Sequence, residues 1–134
     1  MIGLNYVGKT TILRKLMKRD HNITVPTTGF NISTMKYKNF TFTIWDVGGQ
    51  NSTRSSWAHH YQRKDAIIFV IDAHDRDRIN DNRFELHKLL NEDQLKDSVM
   101  LLLANKQDLP KAMKVDELTD KLRLKKLRNH NWNI

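Results

Sequence analysis

Apolar and polar positions along the chain change period several times, and each change predicts an element. Over residues 9–19, Ile12, Leu13, Leu16 and Met17 recur at helical spacing, with Arg14, Lys15, Lys18 and Arg19 on the other side. That spacing predicts an amphipathic helix. A polar loop with Pro26 and Gly29 follows. Residues 32–38 and 40–45 read as two strands joined tightly at Lys38-Asn39. The second, Phe40-Thr41-Phe42-Thr43-Ile44-Trp45, alternates apolar and polar, which predicts one buried face. Residues 66–71 and 99–104 are continuous apolar runs, the pattern of parallel strands covered on both faces. Between them, Phe84, Leu86, Leu89 and Leu90 mark a helix over 79–90, and a shorter helix spans 116–122. Helix, hairpin, strand, helix, strand, helix predicts an α/β fold with a mostly parallel sheet.

Composition narrows this picture. A chain of 134 residues, 39% hydrophobic and 28% charged, suits one folded domain over residues 1–134 rather than a disordered segment. The chain has no cysteine, which excludes disulfides, Cys-ligated zinc and thiol catalysis. The six histidines show no metal spacing, and His59 and His60 read as neighbours on a surface helix. No run of about 18 apolar residues predicts a spanning helix. The first residues resemble neither a signal peptide nor a myristoylation signal, since Gly3 is not at position two. The chain therefore reads as intracellular. The net charge is +8, with the excess in residues 1–50 and 111–134. A basic chain invites a nucleic-acid or anionic-membrane reading. Aromatics are not interleaved with the basic residues, so the charge reads as a solvated surface around a phosphate ligand, with no nucleic acid as partner. The densest run, residues 121–128, suits either anionic lipid or a solvated helix end anchored by leucines.

Three short motifs carry the chemistry. Gly3-Leu4-Asn5-Tyr6-Val7-Gly8-Lys9-Thr10 has the form G-x-x-x-x-G-K-[ST] at the start of the first helix. Such a loop turns backbone N–H groups inward around phosphates, here over Gly3, Asn5, Val7, Gly8 and on into Thr11. Lys9 supplies a point charge and Thr10 a hydroxyl for Mg²⁺. Asp46-Val47-Gly48-Gly49-Gln50 ends the second strand of the hairpin. At that place Asp46 suits an outer hold on Mg²⁺, Gly49 permits close approach to a γ-phosphate, and Gln50 can orient a water. Asn105-Lys106-Gln107-Asp108 ends the last apolar run. The Asp108 carboxylate can accept two parallel bonds from guanine, which adenine cannot offer; Asn105 can bridge loops and the Lys106 stem can cover the base.

Together with Pro26-Thr27-Thr28-Gly29-Phe30-Asn31, Trp45-Asp46-Val47-Gly48-Gly49-Gln50 and Ala104-Asn105-Lys106-Gln107-Asp108-Leu109-Pro110, these segments resemble small GTPases of the ADP-ribosylation factor (Arf) family over nearly the whole chain. The resemblance implies a P-loop GTPase sheet with helices on both faces, GTP/GDP and Mg²⁺ as ligands, and slow hydrolysis that an arginine finger from a partner accelerates. It makes Thr27 a second hydroxyl on Mg²⁺, residues 26–31 the first switch and residues 50–62 the second. It also implies exchange factors, GTPase-activating proteins and coat or effector proteins as partners, and a cytoplasmic, Golgi-associated switch in vesicle traffic.

Several positions depart from the family pattern. Asn5 stands in place of Asp, and Thr28, Thr53, Ser55 and Ser56 in place of apolar residues. An effector-binding trio keeps Phe30 and Trp45 with His60 as its third member. The family's strand before the P-loop and its long C-terminal helix are expected to be missing. Lost ladder partners would cost roughly 1–3 kcal/mol for each buried group. A second reading follows from that cost: an interaction module that keeps the motifs without holding nucleotide stably.

Overall fold

Two continuous apolar runs make the centre of the molecule. In the computed structural model, which describes residues 1–18, 25–127 and 131–134, they are β3 (Ala66–Asp72) and β4 (Val99–Asn105). The two pair in parallel from Ala66↔Val99 to Asp72↔Asn105. Strand period two sorts their side chains. Ile67, Phe69, Ile71, Met100 and Leu102 face one side, where α3 (Ile79–Leu90) and α4 (Val115–Lys121) bring Leu86, Leu89 and Leu118. Ile68, Val70 and Leu103 face the other side and meet Leu13 of α1 (Lys9–Leu16). The short β5 (Trp132–Asn133) adds in parallel to the free edge of β4.

The hairpin of β1 (Phe30–Tyr37) and β2 (Phe40–Val47) is a separate antiparallel sheet, turning at Lys38 in the left-handed region. Both strands reach nearer the chemistry than expected: β1 begins at Phe30, and β2 runs on through Asp46 and Val47. The predicted first-helix boundary at Arg19 lies outside the described residues.

The expected loss of a strand before the P-loop is only partial. Ile2 N–H donates to Ile68 O (2.9 Å), Val70 N–H donates to Ile2 O (2.9 Å), and Val47 N–H donates to Met1 O (3.1 Å). Met1 N also donates to Trp45 O (2.7 Å). Two residues thus bridge β2 and β3 in the parallel sense right beside the loop. Their ladder is too short to merge the hairpin and the three-stranded sheet into one.

Three packing expectations are corrected. Phe40 is 66% exposed and Phe42 is exposed too, although the alternation of β2 predicted a buried face. An eight-residue helix is only about 12 Å long, and α1 reaches Ile44, Ile68 and Leu103 but not the outer half of the hairpin. For the same reason Leu101 of β4 is exposed, so β4 is not covered on both faces, and Leu16 is half-exposed at the end of α1. Phe84, expected in the core face of α3, points to solvent, while Ile79 and Asn82 take the inward positions with Leu86, Leu89 and Leu90.

Candidate functional site

The C-terminal ends of β2, β3 and β4 converge where the chain leaves Ile2, and the site is assembled from loops at that edge. Residues 3–8 turn back toward α1, with Gly8 at φ 95° as its N-cap. A side chain at Gly8 would be strained, because its φ is left-handed and a Cβ would displace the Asn105 amide. Lys9, only 7% exposed, folds over the loop and donates to Gly3 O (3.0 Å) and Leu4 O (2.8 Å). Burial pulls its ammonium down to about 8, opposed by the nearby Asp46 carboxylate. Lys9 lines a cavity of about 290 Å³ together with Asn5, Thr10, Thr11, Thr27, Gly49, Gln50 and Lys106. Val7 sends its side chain into the core and does not line the cavity.

Beside Lys9 the structure gathers three oxygen donors from distant segments. Thr10 Oγ1 donates to Asp46 Oδ2 (2.6 Å) and lies 3.1 Å from Thr27 Oγ1. Asp46 is fully buried, and its Oδ1 has no partner among the described residues. An unsatisfied buried carboxylate oxygen is costly. A hard cation removes that cost, and Mg²⁺ takes one or two carboxylates together with hydroxyls, waters and phosphate oxygens. The donor set therefore fits Mg²⁺. The all-oxygen set lacks the imidazole and thiolate ligands that copper, nickel or zinc favour.

The turn after β2 is pressed against the phosphate loop. A Cβ on Gly49 would collide with Gly3 O and Leu4 backbone, so only glycine allows this contact. Gln50 follows at the cavity wall as the N-cap of α2 (Asn51–Arg54). Residues that the sequence reading passed over hold the turn in place. Trp57, almost wholly buried, donates from Nε1 to Gly48 O (2.8 Å), and Arg54 Nε donates to Gly49 O (3.3 Å). The unexpected polar residues here find backbone partners: Thr53 Oγ1 donates to Gln50 O (2.9 Å) and Ser56 Oγ to Thr53 O (2.6 Å).

The third motif is tied to the first. Asn105 Nδ2 donates to Val7 O (2.8 Å), and Lys106 Nζ donates to Tyr6 O (2.9 Å) and Asp72 Oδ2 (2.5 Å). Asp108 is exposed in the turn over residues 106–109. Asn105 is thus a brace under the phosphate loop, and Lys106 is positioned by a partner not foreseen, Asp72. The signal for Asp72 was available: like Asp46, it is an acid ending an apolar strand.

Arg78 was also missed. Its Nη1 donates to Asn5 O (3.1 Å) and Asn5 Oδ1 (2.8 Å), while its Nε donates to Asp75 Oδ2 (2.6 Å). Burial alone would raise Asp75, but the hydrogen bonds from Arg78 outweigh it and hold the carboxyl below its usual value. Nothing in the local pattern joins positions 5 and 78, so only the fold reveals this clamp. Arg78→Ala removes two bonds that hold the loop. At about 1 kcal/mol each, the change should weaken nucleotide affinity by roughly tenfold or more, read as faster release of a fluorescent nucleotide. An unchanged release rate would remove the clamp from the account.

Outside the cavity, Phe30, Trp45 and His60 form one cluster, with ring centroids 5.1, 4.8 and 5.6 Å apart. Lys64 Nζ lies over Trp45 at 4.6 Å. Burial lowers His60 first, and His59 and Lys64 lower it further.

A glycine-rich loop opening a helix at the carboxyl edge of a parallel sheet is the arrangement of P-loop proteins. The model of the ADP-ribosylation factor family matches residues 1–134, and the chain belongs to that family. Among solved structures it is similar to the Arl6 (BBS3) small GTPase from Trypanosoma brucei with bound nucleotide analogue GppNp. That match has 30% identity and a TM-score of 0.91, and covers 100% of this chain and 81% of that one.

Proposed function

We propose that this chain is a Mg²⁺-dependent GTP/GDP switch with slow intrinsic hydrolysis, acting in vesicle traffic from the cytoplasm at Golgi membranes. The observation that carries the proposal is the meeting of Thr10, Thr27 and Asp46 beside Lys9, with one buried Asp46 oxygen left unpaired. Lys9 and the loop amides hold the phosphates. Thr10 and Thr27 would hold Mg²⁺ with Asp46 behind them, and the ion would neutralise charge between the β- and γ-phosphates. Gly49 presents its backbone to the γ-phosphate, and Gln50 orients the attacking water. Asp108 reads the guanine edge, with Lys106 against its face. The cluster of Phe30, Trp45 and His60 offers effectors an aromatic patch whose neighbours, at both switches, respond to the γ-phosphate.

The test is the nucleotide content of the purified protein, followed by titration with labelled GDP and ATP with and without Mg²⁺. Bound GDP, or micromolar binding that needs Mg²⁺ and excludes ATP, is the expected result. No binding at micromolar GDP would favour the interaction-module reading instead. Gln50→Leu should bind nucleotide as the parent does while partner-stimulated hydrolysis falls by roughly a hundredfold, since misplacing the water costs about that much. Equal stimulated rates would rule out the water-positioning role.

A further inference from the structure

The basic run over residues 121–128 has no part in the nucleotide site, and its Arg128 lies outside the described residues. Lys121, Leu122 and Arg123 pack beside α3. That helix carries two stripes. Leu86, Leu89 and Leu90 face the core; Arg83, Phe84, His87 and Lys88 face outward, at the i, i+1, i+4 and i+5 positions of a single surface. Together with Arg123 they line a cleft of about 500 Å³ that shares no residue with the phosphate cavity.

The cleft is built rather than incidental. His87 Nε2 donates to Leu122 O (2.8 Å) and Arg83 Nη1 to Lys121 O (3.4 Å), which staples α3 to the end of α4. Arg123 then adopts a left-handed φ of 58°, an uncommon choice for a side chain of its size, and this turns it into the cleft wall. Three of the acids nearby are engaged elsewhere, and Asp81 of α3 is exposed but outside the cleft lining. Glu85 lies 3.5 Å from Arg54, Asp120 accepts from Lys125 (2.7 Å), and Glu117 pairs with Arg76. No carboxylate lines the cleft among the described residues. Arg83 uses one of five N–H donors on Lys121 O, leaving most of its fork for a ligand.

Guanidinium groups converging without a counter-carboxylate are suited to phosphate oxygens, which they bind in bidentate fashion. One feature selects the source of that phosphate. Phe84 sits among these cations and is 68% exposed. A small soluble phosphate would leave the ring in water, whereas a membrane surface covers it at the interface while the headgroup fills the cleft. Lys126, exposed close by, adds to the attraction for an anionic leaflet.

We propose that the cleft between α3 and the end of α4 binds the phosphomonoester groups of a multiply phosphorylated lipid headgroup, with Phe84 seated at the membrane interface. The test is sedimentation of the full chain with phosphatidylcholine vesicles containing phosphatidylinositol bisphosphate, against vesicles matched in charge with phosphatidylserine. Binding to the bisphosphate vesicles should be the stronger by roughly tenfold. The pair Arg83→Gln, Arg123→Gln should remove that preference, and soluble inositol trisphosphate should compete for the site in the parent chain. Phe84→Ser should weaken vesicle binding without changing affinity for inositol trisphosphate. Circular dichroism and nucleotide content, unchanged in both variants, show that the fold is retained. Equal binding to phosphatidylserine vesicles, or a preference that survives the double substitution, would overturn the proposal. So would binding of inositol trisphosphate without binding of the vesicles, because the ligand would then be a soluble phosphate.

Discussion

Lys9→Ala should lower affinity for GDP and GTP by roughly 10²- to 10⁴-fold. The ammonium is a buried side-chain cation folded over the loop, and two charge-assisted bonds to phosphate oxygens are worth about 3–6 kcal/mol together, which converts to that range. The structure makes the side chain hard to replace. Lys9 is held on Gly3 O and Leu4 O, so its head already lies inside the ring of loop amides before any ligand arrives. Burial opposes its charge, and Asp46 is the neighbour that favours it. Loss of Lys9 therefore removes both a phosphate contact and one of the cations near the buried Asp46 carboxylate. The fold should tolerate the change, because a desolvated charge leaves with the side chain. Titration with a fluorescent nucleotide, alongside thermal unfolding, measures both effects. Affinity within threefold of the parent would refute the assignment of the cavity to phosphates.

The second large effect concerns the base. Asp108→Asn should weaken guanine nucleotides by roughly a hundredfold or more, from loss of a charged acceptor for two donors at about 1.5–3 kcal/mol each. The same variant should gain for xanthine nucleotides, since xanthine offers a carbonyl where guanine offers an amine. The loop geometry makes this a clean exchange. Asn105 is anchored on Val7 O and Lys106 on Tyr6 O and Asp72, so the turn is pinned to the phosphate loop without help from Asp108. Changing the exposed carboxylate leaves those anchors alone. Competition between GDP and XDP reads the outcome, and an unchanged base preference would show that Asp108 does not read the base.

Turns that the structure brings to the cavity were legible in the sequence. The phosphate loop, the turn after Asp46 and the turn after Asn105 are each a few residues of backbone whose conformation is set by local glycines and strand ends. The parallel pair β3 and β4 was legible too, because an unbroken apolar run has few other uses in a chain this short. Arg78 on Asn5 and Asp72 on Lys106 were not legible, as they join residues 73 and 34 positions apart that share no pattern. Trp57 was not legible either, since a lone aromatic in a polar stretch says nothing about the carbonyl it will meet.

Apolar content and period thus determined which segments become strand or helix, and the motifs marked the turns that the fold gathers around one cavity. Tertiary structure alone decided coverage and proximity. Phe40, Phe42 and Phe84 carry the same apolar signal as Phe69, yet only Phe69 is buried, because β3 has α3 and α4 against it and the outer hairpin has only the short reach of α1. Likewise Thr10, Thr27 and Asp46 are three ordinary polar residues until strand pairing carries Asp46 to the end of β2, where one hydroxyl lies 2.6 Å away and one buried oxygen is left for a cation. A local pattern can encode the preference of a side chain for apolar or polar surroundings, but which neighbour supplies them depends on chain segments far away in sequence.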